Sequence, residues 1–264
     1  MLKKIKDEFS KLKTLAGSWE KDTIVIFITI AVAQTISYYY TSRRFFRKNI
    51  FYHYFMDESK ALNYEFLYWF TGDFLVFFVF PVVIIYLLHK SRVRDFGFRW
   101  GDYRAGLNYT LFITIFMLIV LWFVSANPAF VQKYPLLVNA RHDTTLFWVF
   151  NAGLLIYMLA WEFIWRGYTL FGLEKQFGSV AVLIQMIPFV ILHNGKPDLE
   201  TFSAIPGGIA LGLLALRTRS FLYGVLIHFF VMLFINWFCV IRFKYGIYGI
   251  GLEDFWKVII NTIN

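Results

Sequence analysis

Long apolar runs recur along this sequence and restrict the folds that it can adopt. A membrane-spanning helix needs roughly 20 apolar residues, with a range of about 17–25, and a helix satisfies its backbone hydrogen bonds within one segment. The runs cover residues 23–40, 66–88, 108–126, 144–161, 179–193, 202–216 and 220–241, with a weaker final run at 247–261. The runs at 179–193 and 202–216 are short, which fits a tilted, re-entrant or internal helix. The pattern predicts an all-α fold, a polytopic membrane helical bundle with about seven or eight transmembrane helices.

The composition excludes an ordinary soluble domain. The 264 residues are 59% hydrophobic and 16% charged, whereas soluble domains have about half apolar and about a quarter charged residues. Aromatic residues make up 22% of the chain, which is typical of lipid-facing helices that carry Trp and Tyr near the headgroups. We therefore predict an integral membrane protein.

The N-terminus differs from the rest of the chain. Apolar residues recur at helical spacing, while lysines occupy most of the other positions, and this pattern is typical of a helix at the membrane interface. The apolar positions are Leu2, Ile5, Phe9, Leu12 and Leu15. A solvated basic tail is the alternative. We expect an interfacial amphipathic segment over residues 1–22 and a single transmembrane domain over residues 23–264.

The formal net charge of +9 suggests an anionic partner. The basic residues flank the apolar runs rather than cover one face, so the expected partner is membrane lipid with anionic headgroups, and not nucleic acid. The single cysteine, Cys239, lies in an apolar run. One cysteine excludes an internal disulfide, and nothing near it in sequence would lower the thiol pKa for catalysis.

Glu162 and Arg166 are the first candidates for chemistry. Residues four apart share one face of a helix, and ionisable groups inside membranes are costly unless they pair, line a cavity or react. A carboxylate in an apolar site can act as a general base that takes a proton from attacking water, with Arg166 holding it in place. An ordinary ion pair at a helix end is the alternative. Asp73 lies in the run at 66–88. We expect it to form hydrogen bonds inside the bundle, and a role in a substrate or proton path is the alternative.

Two histidines lie in later apolar runs, at His193 and His228. With Glu162 they could bind zinc, with Glu162 as ligand or base, or they could position water and donate hydrogen bonds to an oxyanion. No His-Glu-x-x-His pair supports the zinc hypothesis. We therefore expect no cofactor, with zinc as the alternative, in which case His193 and His228 would be ligands.

These motifs resemble those of a known family. Glu162-x-x-x-Arg166-Gly167, then Phe189-x-x-x-His193, then His228 are similar to the motifs of the CPBP family, the CAAX-processing and bacteriocin-processing intramembrane proteases, also called Abi. The similarity covers residues 144–240 and looks like a bacterial branch with a Trp-Glu-Phe first motif. The family places two adjacent glutamates in its first motif, where this chain has Trp161 and Glu162. It often places Asn four residues after the last His, where this chain has Met232, although Asn236 follows.

The resemblance implies an intramembrane endopeptidase in a membrane such as the bacterial inner membrane. It would hydrolyse a peptide bond in a membrane-associated protein or peptide, with Glu162, His193 and His228 as catalytic residues and with support from Arg166 and Asn236. The alternative is an inactive CPBP-fold protein that acts as a scaffold, an immunity factor or an export factor, because Trp161 and Met232 depart from the family pattern. A transporter has little support beyond the number of helices.

Overall fold

Helices form all the regular structure in the described part of the chain, which covers residues 2–54 and 57–263 of the computed structural model. The α-helices are α1 (Leu2–Gly17), α2 (Lys21–Ile36), α3 (Arg43–Phe46), α4 (Tyr52–Tyr54), α5 (Glu58–Phe74), α6 (Phe80–Ile84), α7 (Tyr103–Val124), α8 (Pro128–Lys133), α9 (Thr144–Glu162), α10 (Leu170–Phe177), α11 (Ala181–Ile191), α12 (Asp198–Thr218), α13 (Leu222–Tyr245) and α14 (Leu252–Ile263). Wider π-helical turns occur at Ser37–Thr41, Arg47–Phe51, Leu75–Val79, Ile85–His89 and Phe163–Thr169, and tighter 3₁₀ turns at Val93–Phe96, Val138–Arg141 and Gly178–Val180. The all-α prediction is confirmed.

Six helical segments in this described part are long and apolar enough to cross a membrane. They are Lys21–Tyr54, Lys60–His89, Tyr103–Val124, Thr144–Ile191, Asp198–Thr218 and Leu222–Tyr245. The protein is thus an integral membrane protein, and the polytopic helical bundle is confirmed.

The difference between these six segments and seven predicted helices arises in the segment Thr144–Ile191, while the eighth, the weaker final run at 247–261, forms only the 12-residue helix α14. Its 48 residues are more than twice what one span needs, and it contains the run at 144–161 and most of the run at 179–193. Gly178 has a φ of 54° and a ψ of −140°, a conformation essentially confined to glycine. The chain turns there, so that α11 packs against α10 and against the π-helical turn before it.

The segment Thr144–Ile191 is also the centre of the bundle. Of its most apolar window, 61% is buried, against 17–39% for the other five segments. Helix α9 packs between α5 and α13, while α11 packs mainly against α12. Asp143 caps the start of α9, because its side chain accepts a hydrogen bond from the backbone N–H of Leu146 at 2.9 Å, which satisfies an otherwise unpaired donor.

The first helix stands apart in its exposure. Phe9, Leu12 and Leu15 in α1 are 69%, 59% and 64% exposed, so the predicted apolar stripe is open in the structure. Met1 and Asn264, which begin and end the two predicted regions, lie outside the described residues, as does the side chain of Leu2. The interfacial role of residues 1–22 stays a prediction.

Candidate active site

Glu162 lies at the C-terminal end of α9 and is fully buried. One carboxylate oxygen, Oε1, accepts a hydrogen bond from Arg166 Nη1 at 3.1 Å and another from His228 at 2.8 Å. The other oxygen, Oε2, has no hydrogen-bond partner in the described chain. The i, i+4 spacing predicted the contact with Arg166, and the tertiary fold adds His228.

The contact with Glu162 fixes how His228 presents its ring. The nitrogen that faces Glu162 Oε1 is Nδ1, and an ionised carboxylate only accepts hydrogen bonds, so Nδ1 carries the hydrogen. In the neutral ring, Nε2 then holds a lone pair. A carboxylate that holds an imidazole in this way also stabilises the ring after it takes a proton. Glu162 and His228 therefore form a carboxylate–imidazole dyad.

His193 is held by its own helix end. Its Nδ1 lies 2.7 Å from the carbonyl oxygen of Phe189, which can only accept, so Nδ1 is the donor and Nε2 again holds a lone pair. Burial lowers the pKa of His193 well below its usual range, and the nearby charge of Lys196 lowers it further. His193 is therefore neutral, and its Nε2 accepts hydrogen bonds rather than donates them.

Phe189 connects these groups through its ring. The guanidinium carbon of Arg166 lies 3.9 Å from the ring centroid, in a cation–π contact. The rings of His193 and His228 lie 4.5 Å and 6.1 Å from it. The Phe-x-x-x-His spacing at the end of α11 thus places one aromatic ring close to the buried Arg166 and to both imidazoles.

A cavity of about 180 Å³ borders both histidines. Its walls come from several helices that are distant in sequence. They include Ser37, Trp69, Asp73, Tyr157, Trp161, His193, Lys196, His228 and Met232. Glu162 is not part of the wall that these described residues form. Its carboxylate contacts His228, and His228 lines the cavity.

Trp161 and Met232 occupy the two positions that depart from the family pattern, and both line this cavity. The Trp161 ring lies 6.1 Å from the His193 ring, in an edge contact. Met232 lies four residues after His228, on the same face of α13. Both departures therefore change the surface of the cavity.

Asp73 lines the cavity, and the sequence does not reveal which side chains surround it. It is 1% exposed. Its Oδ1 accepts hydrogen bonds from Ser37 at 2.8 Å and Thr41 at 2.6 Å, and its Oδ2 accepts one from Trp69 at 2.7 Å. Its position in an apolar run was the only signal, and the expected hydrogen-bonding role fits these three donors.

Asn236 lies deeper in α13 and faces another helix. Its amide nitrogen donates to Asn151 Oδ1 on α9 at 3.0 Å, and Asn236 does not belong to the cavity wall as the described residues form it. Eight residues along a helix rotate a side chain by about 80°, which turns Asn236 away from the side of His228. Its supporting role stays a prediction.

The donor set does not suit a zinc ion. Within the described residues no group of three or more His, Cys, Asp and Glu side chains is placed to hold a metal. The two histidines have Nε2 lone pairs, and Glu162 keeps one oxygen, Oε2, without a partner in the described chain. These three side chains nevertheless do not form a group whose placement could hold a metal.

Comparison with known proteins gives a family match for the segment that contains these residues. Residues 143–234 match the family model described as type II CAAX prenyl endopeptidase Rce1-like. The CPBP resemblance is confirmed. The matched segment runs from the start of α9 into α13 and contains Glu162, His193 and His228. Over these residues the chain is similar to the CPBP-type intramembrane proteases. Searches of curated proteins and of solved structures gave no match.

Proposed function

We propose that this protein is an intramembrane endopeptidase that hydrolyses a peptide bond in a membrane-associated protein or peptide. The observation that supports this most directly is the 2.8 Å contact between His228 Nδ1 and Glu162 Oε1, at the edge of the cavity. It supplies a base that is oriented, charge-compensated and shielded from bulk water. We propose the bacterial inner membrane as its location.

Water activation would run through His228. Nε2 of His228 takes one proton from a water molecule while the water oxygen attacks the scissile carbonyl carbon, and the resulting imidazolium is stabilised by Glu162. His193 Nε2 accepts the second hydrogen of that water and so orients it. The imidazolium then gives its proton to the leaving amine as the C–N bond breaks. Glu162 thus activates water through His228 rather than by direct contact.

Arg166 and Phe189 keep Glu162 of the dyad ionised and in place. The buried guanidinium favours the ionised form of Glu162, and the face of Phe189 stabilises the guanidinium in turn. Arg166 is a positioning residue in this scheme, because it contacts Glu162 and is not among the described residues that line the cavity. We propose no metal for this mechanism.

A second function is supported by Trp161. Its indole lines the cavity at the position where the family has its first glutamate, so a carboxylate at that point is replaced by an apolar ring. This arrangement favours an inactive CPBP-fold protein that binds a membrane partner as a scaffold, an immunity factor or an export factor. The double variant W161E/M232N restores the family pattern and would gain cleavage activity under this second hypothesis.

The test compares peptide termini in membranes of cells that express the wild type, E162Q, H228Q or W161E/M232N. A matched control is E174Q, because Glu174 forms a surface ion pair with Arg219 away from the cavity. New termini that appear with the wild type and E174Q, and disappear with E162Q and H228Q, are the expected result. If new termini appear only with W161E/M232N, the hypothesis of an inactive wild-type protein replaces the hypothesis of an endopeptidase. Full cleavage by E162Q would remove the role of Glu162.

A further inference from the structure

A basic cleft of about 480 Å³ lies outside the candidate active site. It is lined by Arg43, Arg44, Arg47, Lys48, Tyr52 and Glu65. Four of these side chains are basic and one is acidic, and they come from the segment after α2 and from α5. The site does not depend on the proposed protease activity.

Glu65 holds two arginines of the cleft in place. It is fully buried and pairs with Nε of Arg43 and, at 2.8 Å, with Nε of Arg47. The ring of Phe66 lies under the Arg43 guanidinium, 4.1 Å from it. Both arginines are thus held through their inner nitrogens, and no hydrogen bond within the described residues uses their terminal nitrogens.

The remaining basic residues, Arg44 and Lys48, add positive charge to the cleft and have no carboxylate partner among the described residues. Arg44 donates to the hydroxyl of Tyr38 at 2.9 Å, a neutral group that leaves its charge uncompensated. Lys48 makes no ion pair or side-chain hydrogen bond in the part of the chain that the structure describes. Arginine terminal nitrogens form a planar fork that suits the oxygens of a phosphate. The cleft therefore presents two forks and a further ammonium group.

The position of the cleft along the chain sets its depth in the membrane. The apolar run of α2 ends in Tyr38, Tyr39 and Tyr40, which are 55%, 62% and 59% exposed. Exposed tyrosines mark the level of the headgroups. Ser42 then breaks the helix with extended backbone, and Arg43 follows at once. The basic side chains therefore lie where lipid phosphates lie.

We propose that this cleft is a binding site for the phosphate of an anionic glycerophospholipid. The terminal nitrogens of Arg43 and Arg47 contact the phosphate oxygens, while Arg44 and Lys48 attract the net negative charge. A zwitterionic lipid carries the same phosphate together with a cation, which is disfavoured by the net charge of +3 that four basic residues and Glu65 give the cleft. The acyl chains extend beside the apolar part of α2.

The experiment measures binding of phosphatidylglycerol and of phosphatidylcholine to the full chain in detergent micelles, by native mass spectrometry. The variant R44Q/R47Q/K48Q removes three charges and leaves the Arg43–Glu65 pair. The control K90Q/R92Q/R94Q removes three exposed charges that also follow an apolar run but do not line the cleft. Each basic residue near an anionic surface contributes about fivefold in binding, so we expect about a hundredfold weaker phosphatidylglycerol binding for the first variant only.

Three outcomes would overturn the proposal: equal loss in both variants, equal binding of the two lipids by the wild type, or displacement of the lipid by millimolar inorganic phosphate. The last outcome would identify a site for a free anion. If R44Q/R47Q/K48Q does not fold, the single variant K48Q decides, because Lys48 has no side-chain partner to lose within the described chain. K48Q is expected to bind phosphatidylglycerol about fivefold more weakly, and unchanged binding would overturn the proposal.

Discussion

One carboxylate oxygen of the buried Glu162 accepts hydrogen bonds from two side chains. Oε1 accepts from Arg166 and from His228, so the ion pair and the dyad share an atom. The sequence predicted the first contact, because i, i+4 spacing is a local property of a helix. The second contact joins residues 66 positions apart, and spacing alone could not show it.

Removing Arg166 tests the buried pair. Both side chains are fully buried, and breaking such a pair leaves an uncompensated charge that costs about 3–5 kcal/mol. We expect R166A to lower the thermal midpoint in detergent strongly and R166A/E162Q to recover part of the loss. K257A is the control, since the Glu253–Lys257 pair has the same spacing on an exposed helix face. R166A as stable as K257A would contradict the proposed ion pair.

His193 predicts a pH dependence of stability. Its pKa is lowered in the folded protein by burial, whereas an unfolded histidine titrates near 6.5. The unfolded chain therefore binds the extra proton first, so stability is complete above about pH 6.5 and falls below it, by up to about 1.4 kcal/mol per pH unit. Thermal midpoints of the wild type should fall between pH 7 and pH 5 more steeply than those of H193Q. Parallel curves would show that His193 is not the group responsible.

The elements explain why the site residues meet. Phe163–Thr169 is a π-helical turn between α9 and α10, and such turns occur frequently at functional sites. All seven of its residues are buried, and Arg166 is one of them. The apolar pattern predicted a helix here, but a change from α to π geometry has no signature in apolar spacing, because it depends on packing against elements such as α11 and α12.

The approach of α13 to α9 at Gly224 gives an element-scale prediction. A methyl group placed on Gly224 would lie 2.9 Å from Glu162 Oε2, closer than a Cβ can approach. Because Arg166 and His228 hold the carboxylate, G224A should displace it from His228 and reduce cleavage about tenfold or more, the loss of one charge-assisted hydrogen bond. G207A is the control. A Cβ there meets nothing within 4 Å, so it should keep activity and stability, and equal activity of the two variants would contradict the prediction.

At the scale of the molecule, the apolar runs determined most of what could be predicted. Membrane thickness limits the length of a span, so the runs located nearly every long helix. They did not show that 144–161 and 179–193 would join in one buried segment that turns at Gly178. They also did not show that Asp73 would share a cavity with His193 and His228, because the contacts between α5, α9 and α13 depend on how the whole bundle packs.

The metal content of the whole chain gives the last prediction. Histidine ligands need a third donor and a fixed ring orientation, and the described residues place no third His, Cys, Asp or Glu side chain together with His193 and His228 in a group that could hold a metal. Two imidazoles alone hold zinc weakly. We therefore expect elemental analysis of protein purified without chelator to find well below one zinc per chain, and a chelator to leave both cleavage and the thermal midpoint unchanged. The variant H193Q/H228Q should contain the same trace of zinc as the wild type. About one zinc per chain that is lost in this variant, with activity removed by a chelator and restored by zinc, would replace the Glu162–His228 mechanism by that of a metalloprotease.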